Sequence, residues 1–135
     1  MKHLPILFLL VSLAAVAQES TEYRACINRA TTQMEMNTCA GDEAARIEDR
    51  LNVVYHKLLA QASNQVEALA KIKAAERAWV AYRDAYMEAM YPAKDKQVEY
   101  GSIYLMEANL LRAKLTERHT TELKELLQQY SEGRQ

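Results

Sequence analysis

From Thr21 onward the apolar residues recur at three- and four-residue steps, which is the spacing of helices buried along one face and not the alternation of strands. Ile47, Leu51, Val54 and Leu58 form such a stripe, and Val53-Val54, the only adjacent pair of apolar β-branched residues, sits inside that helical pattern. The pattern predicts a first helix over Thr21–Arg29, capped by Ser20 or Thr21, and a second over Gln33–Ala62. Thr32 and Glu35 open the second helix with a reciprocal capping box, and Gly41-Asp42 is its weak point, where the helix can kink. Asn64 and Glu67 are read as the cap of a third helix over Gln65–Tyr91, which Pro92 closes. The polar segment Ala93 to Gly101 reads as a loop. Ser102 then caps a fourth helix that carries Ile103, Met106, Leu110 and Ala113 on one face and runs to about Gln128. Tyr104, Leu111, Leu115, Leu123 and Leu127 widen that face enough for packing on more than one side. The fold class expected is all-α: a small helical bundle of one short and three long helices joined as antiparallel neighbours.

The N-terminus changes the picture of where this bundle forms. Met1 to Ala17 has the form of a secretory signal: Lys2, a mostly apolar core from Leu4 to Val16, and Ala15-Val16-Ala17 as an A-x-A cleavage site. Cleavage leaves Gln18 first and one domain over residues 18–135, destined for the periplasm or the exterior. No apolar run approaches the ~20 residues of a membrane span. Cys26 and Cys39, the two cysteines, would lie about 20 Å apart in one unbroken helix, against the ~4.4–6.8 Å between Cα atoms that a disulfide requires. A bond therefore needs the chain to turn, and Ala30-Thr31-Thr32 is the natural break. In an exported chain the pair reads as one disulfide stapling helix one to helix two, with two free buried thiols as the alternative.

Processing removes one lysine and leaves a formal charge of −2, which is no nucleic-acid footprint. His56 and His119 stand in no metal-ligand spacing and are read as solvent-facing or rim residues; no metal or cofactor is expected. Two polar sets stand out. Asp49, Asn52 and Tyr55 share an edge of helix two, while Glu76, Arg83 and Asp84 flank the single tryptophan, Trp79, on helix three. Charges that close to a core must be paired, so an inter-helix network is expected in which Arg83, with Arg118, meets Asp49 or Glu76. Its role is either bundle register or ligand binding. Tyr82, Tyr86, Tyr91, Tyr100 and Tyr104 gather around the turn between helices three and four, where they either finish the rim of the core or form an interface.

Taken together, these residues resemble the secreted bacterial family known as the lysozyme inhibitor LprI-like N-terminal domain. The resemblance rests on the exported N-terminus, Cys26-x12-Cys39 followed by Ala40, and Asp49-x-Leu51-Asn52-x-x-Tyr55. It continues through Trp79-x3-Arg83-Asp84 and Thr116-x-Arg118, with Leu123 near the end, and covers almost the whole processed chain. Many members carry a second cysteine pair; here Tyr86 stands near its first position and helix four has no cysteine. The resemblance implies a helical bundle in the bacterial envelope or outside it, and for some relatives inhibition of lysozyme by occupying its sugar-binding cleft, which is binding and not catalysis. Its contact surface would be the tyrosine-rich end: Tyr86, Tyr91, Tyr100 and Tyr104 with Asp95 and Glu99, whose charges Lys94 and Lys96 offset. An envelope accessory, immunity or stress protein with another partner is the second class of function, and a cell-wall enzyme built on two close carboxylates the third.

Overall fold

A computed structural model describes residues 19–133, and the leader read at Met1–Ala17 lies outside the described residues. Five helices follow one another: α1 Thr21–Arg29, α2 Gln33–Gln61, α3 Val66–Met90, α4 Lys96–Tyr100 and α5 Tyr104–Ser131, with no strand among the described residues. Local chemistry sets the first two boundaries. Ser20 Oγ accepts from Tyr23 N at 3.0 Å to open α1. At α2, Thr32 Oγ1 accepts from Glu35 N while the Glu35 carboxylate accepts from Thr31 N and Thr32 N. Cys26 and Cys39 are bonded, with their Cα atoms 5.7 Å apart, so the break at Ala30–Thr32 folds α1 back along α2 as expected.

Three local expectations are corrected. Asn64 is not the cap of α3: Gln65 holds that position with no side-chain bond, and Gln65 N closes a turn onto Ala62 O at 2.9 Å. Ser102 does not cap α5 either, since its carbonyl accepts from Asn37 Nδ2 at 3.0 Å and Ile103 occupies the cap without a side-chain bond. The segment read as a loop contains α4, opened by the Asp95 carboxylate accepting from Val98 N and ended at Gly101, whose φ of 76° favours glycine. Pro92 does stop α3, which ends at Met90.

The long helices are connected as antiparallel neighbours, yet the tightest packing joins two that run parallel, α2 and α5. Asn37 meets Ser102 near their N-termini, Ala44 and Ile47 meet Ala113 midway, and Leu51, Val54, Leu58 and Ala62 meet Leu123 further on. Ala40, Gly41, Ala44 and Ala113 are small, and small residues let helix backbones approach. On one side of this pair α3 contributes Ile72, Leu69 and Trp79 to the main core and Met87 to a second cluster with Ala108 and Leu115. On another, α1 lays Tyr23, Cys26 and Ile27 against Cys39, Ala40, Met106 and Leu110.

α2 runs through Gly41 as one continuous helix. A Cβ at Gly41 would lie 3.7 Å from Asn109 Nδ2, an ordinary contact. Gly41→Ala should therefore raise the unfolding free energy by about 0.5–1 kcal/mol, the helix-interior cost of glycine. Urea denaturation of the two proteins side by side measures this, and a loss of stability would mean that α5 sits closer than the geometry shows.

Candidate functional site

Trp79 is the centre of the polar cluster. The His119 ring lies flat on it, centroids 4.1 Å apart and planes 9° from parallel, and the Arg83 guanidinium carbon is 5.0 Å from the Trp79 centroid. His119 Nε2 is 2.7 Å from Glu76 Oε2 on α3, and Nδ1 is 3.0 Å from Glu122 Oε2 on its own helix. Through its two nitrogens the ring bridges a carboxylate of α3 to one of α5, and the tautomer sets which nitrogen donates. His119 is buried against the half-buried Glu76, which overturns the reading of His119 as a rim residue. A signal for this was available, because Leu115, His119 and Leu123 follow one another by fours on the apolar face of α5.

The partners of Arg83 also differ from those expected. Its Nη1 is 3.7 Å from Glu48 on α2 and its Nε donates to Asp84 at 3.1 Å. Neither Asp49 nor Glu76 takes that charge. Asp49 and Asn52 are exposed, as is Arg118, while Tyr55 is half-buried against the main core. Glu76 and Arg83 thus reach the same tryptophan through different carriers, and the network crosses from α3 to both neighbouring helices.

At the other end of α3 the tyrosines divide into two groups. Tyr91, Tyr100 and Tyr104 pack on one another, Tyr91 edge-on to Tyr100 at 5.4 Å and to Tyr104 at 5.0 Å, and the Tyr100 hydroxyl accepts from Ala93 N at 3.1 Å. Burial pushes the Tyr91 hydroxyl above its ordinary titration range, and nearby Glu107 adds to the effect. Lys96 Nζ donates to Tyr91 O and Ala93 O, at 2.8 and 3.2 Å, and to Glu88 at 2.9 Å, so it satisfies carbonyls left open where α3 ends. Asp95 is engaged as the α4 cap, whereas Glu99 is exposed. Tyr86 belongs to the second group, paired at 5.9 Å with Tyr82 on the outside of α3.

A third polar group fastens α1. Glu43 is buried, accepts from Ser20 Oγ at 2.6 Å and from Ser20 N at 3.3 Å, and pairs with Arg46 at 2.9 Å. Burial alone would raise its titration, but the hydrogen bonds from Ser20 and Arg46 outweigh it and hold the carboxyl below its ordinary value of 4.5. A depressed folded value adds stability that is complete above the unfolded value and disappears as pH falls through the folded one. Glu43→Gln should thus cost about 1–3 kcal/mol near neutral pH, and its gap from the wild type should shrink once pH drops below about 4.5. Denaturation curves between pH 7 and 3 check this; a gap independent of pH would remove the charge from the account.

The other displaced carboxylates, Glu35 and Glu22, are lowered too, Glu35 by the N–H and hydroxyl of Thr31 and Glu22 by its own N–H and Thr21. A general acid requires the opposite displacement. The groove of about 430 Å³ between α2 and α5 brings Asp49 and Glu117 to one surface, but Arg50 and Lys124 line it with them. Among the described residues no three His, Cys, Asp or Glu side chains are grouped as metal ligands would be, and no helix is long and apolar enough to cross a membrane.

Comparison with known proteins adds two findings. A protein of Rhizobium meliloti described as uncharacterized is 32% identical over 136 residues, covering 92% of this chain and 94% of its own length. No solved structure matches. The family model described as "Lysozyme inhibitor LprI" matches residues 26–123, from the first bridged cysteine to Leu123 in the main core. With both bridged cysteines, the cluster around Trp79 and most of the bundle inside that span, the chain belongs to the LprI lysozyme inhibitor family.

Proposed function

We propose that this protein is an exported, non-catalytic binding domain that inhibits a lysozyme by occluding its cleft. The observation that carries the reading is the family match over residues 26–123. Two features support it. The Cys26–Cys39 bridge fits an oxidising compartment, in keeping with cleavage after Ala17 and life in the periplasm or outside the cell. Five tyrosines gather where α3, α4 and α5 meet, Tyr82 and Tyr86 exposed and Tyr91, Tyr100 and Tyr104 half-buried on one another, and exposed tyrosines combine contact area with a hydrogen-bonding hydroxyl.

Titrating the protein, purified from its exported form, into lysozymes of different types tests the proposal, with binding and residual cell-wall lysis recorded together. Saturable binding that suppresses lysis at matching concentrations is the expected result. Binding to none of them would overturn it and favour the reading as an envelope accessory protein with another partner.

A further inference from the structure

We propose that the outward side of α3 binds a second copy of this chain, the two α3 helices lying antiparallel about a two-fold axis level with Val80 and Ala81. Such a pairing stands whether or not the protein also binds a lysozyme. α3 meets the rest of the bundle along one side only: Ile72, Arg83 and Met87 are its buried residues, and Glu76, Trp79 and Val80 lie half-buried between them. The opposite side carries Ala70, Ala74, Ala81 and Ala85, all exposed. At 3.6 residues per turn these four fall within about 60° of one another around the helix. Alanine adds little beyond the backbone, so another helix can approach to about 8 Å, the short end of the interaxial range.

Charge selects the occupant. Lys73, Arg77, Asp84 and Glu88, spaced by four, seven and four, line one edge of the alanine row, and all four are exposed; Tyr82 stands on the other edge. Within α3 this order is unfavourable, because Lys73 sits four residues from Arg77 and Asp84 four from Glu88, and like charges at that spacing weaken a helix. Neither Lys73 nor Arg77 forms an ion pair among the described residues. The Asp84 and Glu88 side chains remain 60% and 70% exposed beside Arg83 and Lys96. A two-fold axis across α3 reverses its direction and lays the charged edge on its own counterpart. Lys73 and Glu88 share their midpoint with Arg77 and Asp84, between Val80 and Ala81, so one register serves both sets. Lys73 then faces Glu88 of the second copy and Arg77 faces its Asp84, and each pairing occurs twice. Like charges on this edge stay at least about 10 Å out of register along the helix. A surface of one sign on another protein would match half of the edge and repel the other half.

The test is the mass of the wild-type protein in solution, followed by sedimentation from micromolar to millimolar concentration at low and high salt, beside Lys73→Glu/Arg77→Glu. Both side chains are exposed, so thermal melts of the two proteins should coincide. Wild type should pass from one subunit to two as concentration rises, salt should raise the concentration this takes, and the variant should stay a single subunit throughout. Register has its own readout. Ala81→Cys places a thiol beside the axis and should cross-link copy to copy under mild oxidation, whereas Ala74→Cys, about 20 Å from its counterpart, should not. A wild type that stays monomeric at every concentration, a charge variant that still pairs, or cross-linking through Ala74→Cys as readily as through Ala81→Cys would overturn this pairing and leave the inhibitor reading standing.

Discussion

Replacing His119 with alanine should cost the bundle about 3–5 kcal/mol, because a large buried ring and its hydrogen bonds are lost together. The ring does three things at once. It bonds Glu76 across to α3, bonds Glu122 along α5, and covers a face of Trp79. Truncation leaves Glu76, whose side chain is 12% exposed, without its hydrogen-bond partner, and opens a void beside the indole. Arg83→Ala should be milder, because Glu48 and Asp84 can both turn to water when the guanidinium is gone. His119→Gln separates the contributions, since an amide can still donate to one carboxylate while lacking the stacked ring. Urea unfolding followed by Trp79 fluorescence measures all three, and a loss under about 1 kcal/mol for His119→Ala would mean that α3 is held by its apolar contacts alone.

Removing the disulfide with Cys26→Ser/Cys39→Ser should cost about 3 kcal/mol, the chain-entropy value for a loop of this length. The effect should be concentrated in α1. A nine-residue helix does not hold together in water unaided, and α1 depends on the bridge, the Ser20–Glu43 contacts and the packing of Tyr23 and Ile27 to stay on α2. Arg24 and Arg29 are exposed within it, so trypsin should cut there first in the serine variant and spare them in the oxidised wild type. Equal protection in the two proteins would show that packing alone secures α1. The second cysteine pair of many relatives has no counterpart here, and the joint between α3 and α5 relies instead on the Lys96 bonds and the three mutually packed tyrosines.

Sequence reasoning reached whatever is decided within a few residues of itself. Thr32 and Glu35 specify the start of α2 because both halves of the capping box lie within one turn. Pro92 ends α3 by a clash with its immediate neighbour, and the cysteine separation forces a turn whatever else the chain does. The same range explains the misses. Asn64 and Ser102 have the chemistry of caps, but the turn at Ala62–Gln65 and the bond from Asn37, 65 residues away, set those boundaries. The parallel pairing of α2 with α5 was invisible because no local signal compares residue 44 with residue 113; only the shape left by small side chains on both helices does. Arg83 showed the same limit, its need for a partner legible and the choice of Glu48 over Asp49 set by the rotation of α2 against α3. By itself the sequence determined helix content, the stapled first helix and the need to pair charges near Trp79, since these follow from backbone geometry and the cost of burying a charge. Which helices touch, which carboxylates meet His119 and which tyrosines stay open were decided by tertiary packing, because burial depends on what the rest of the chain lays over each residue.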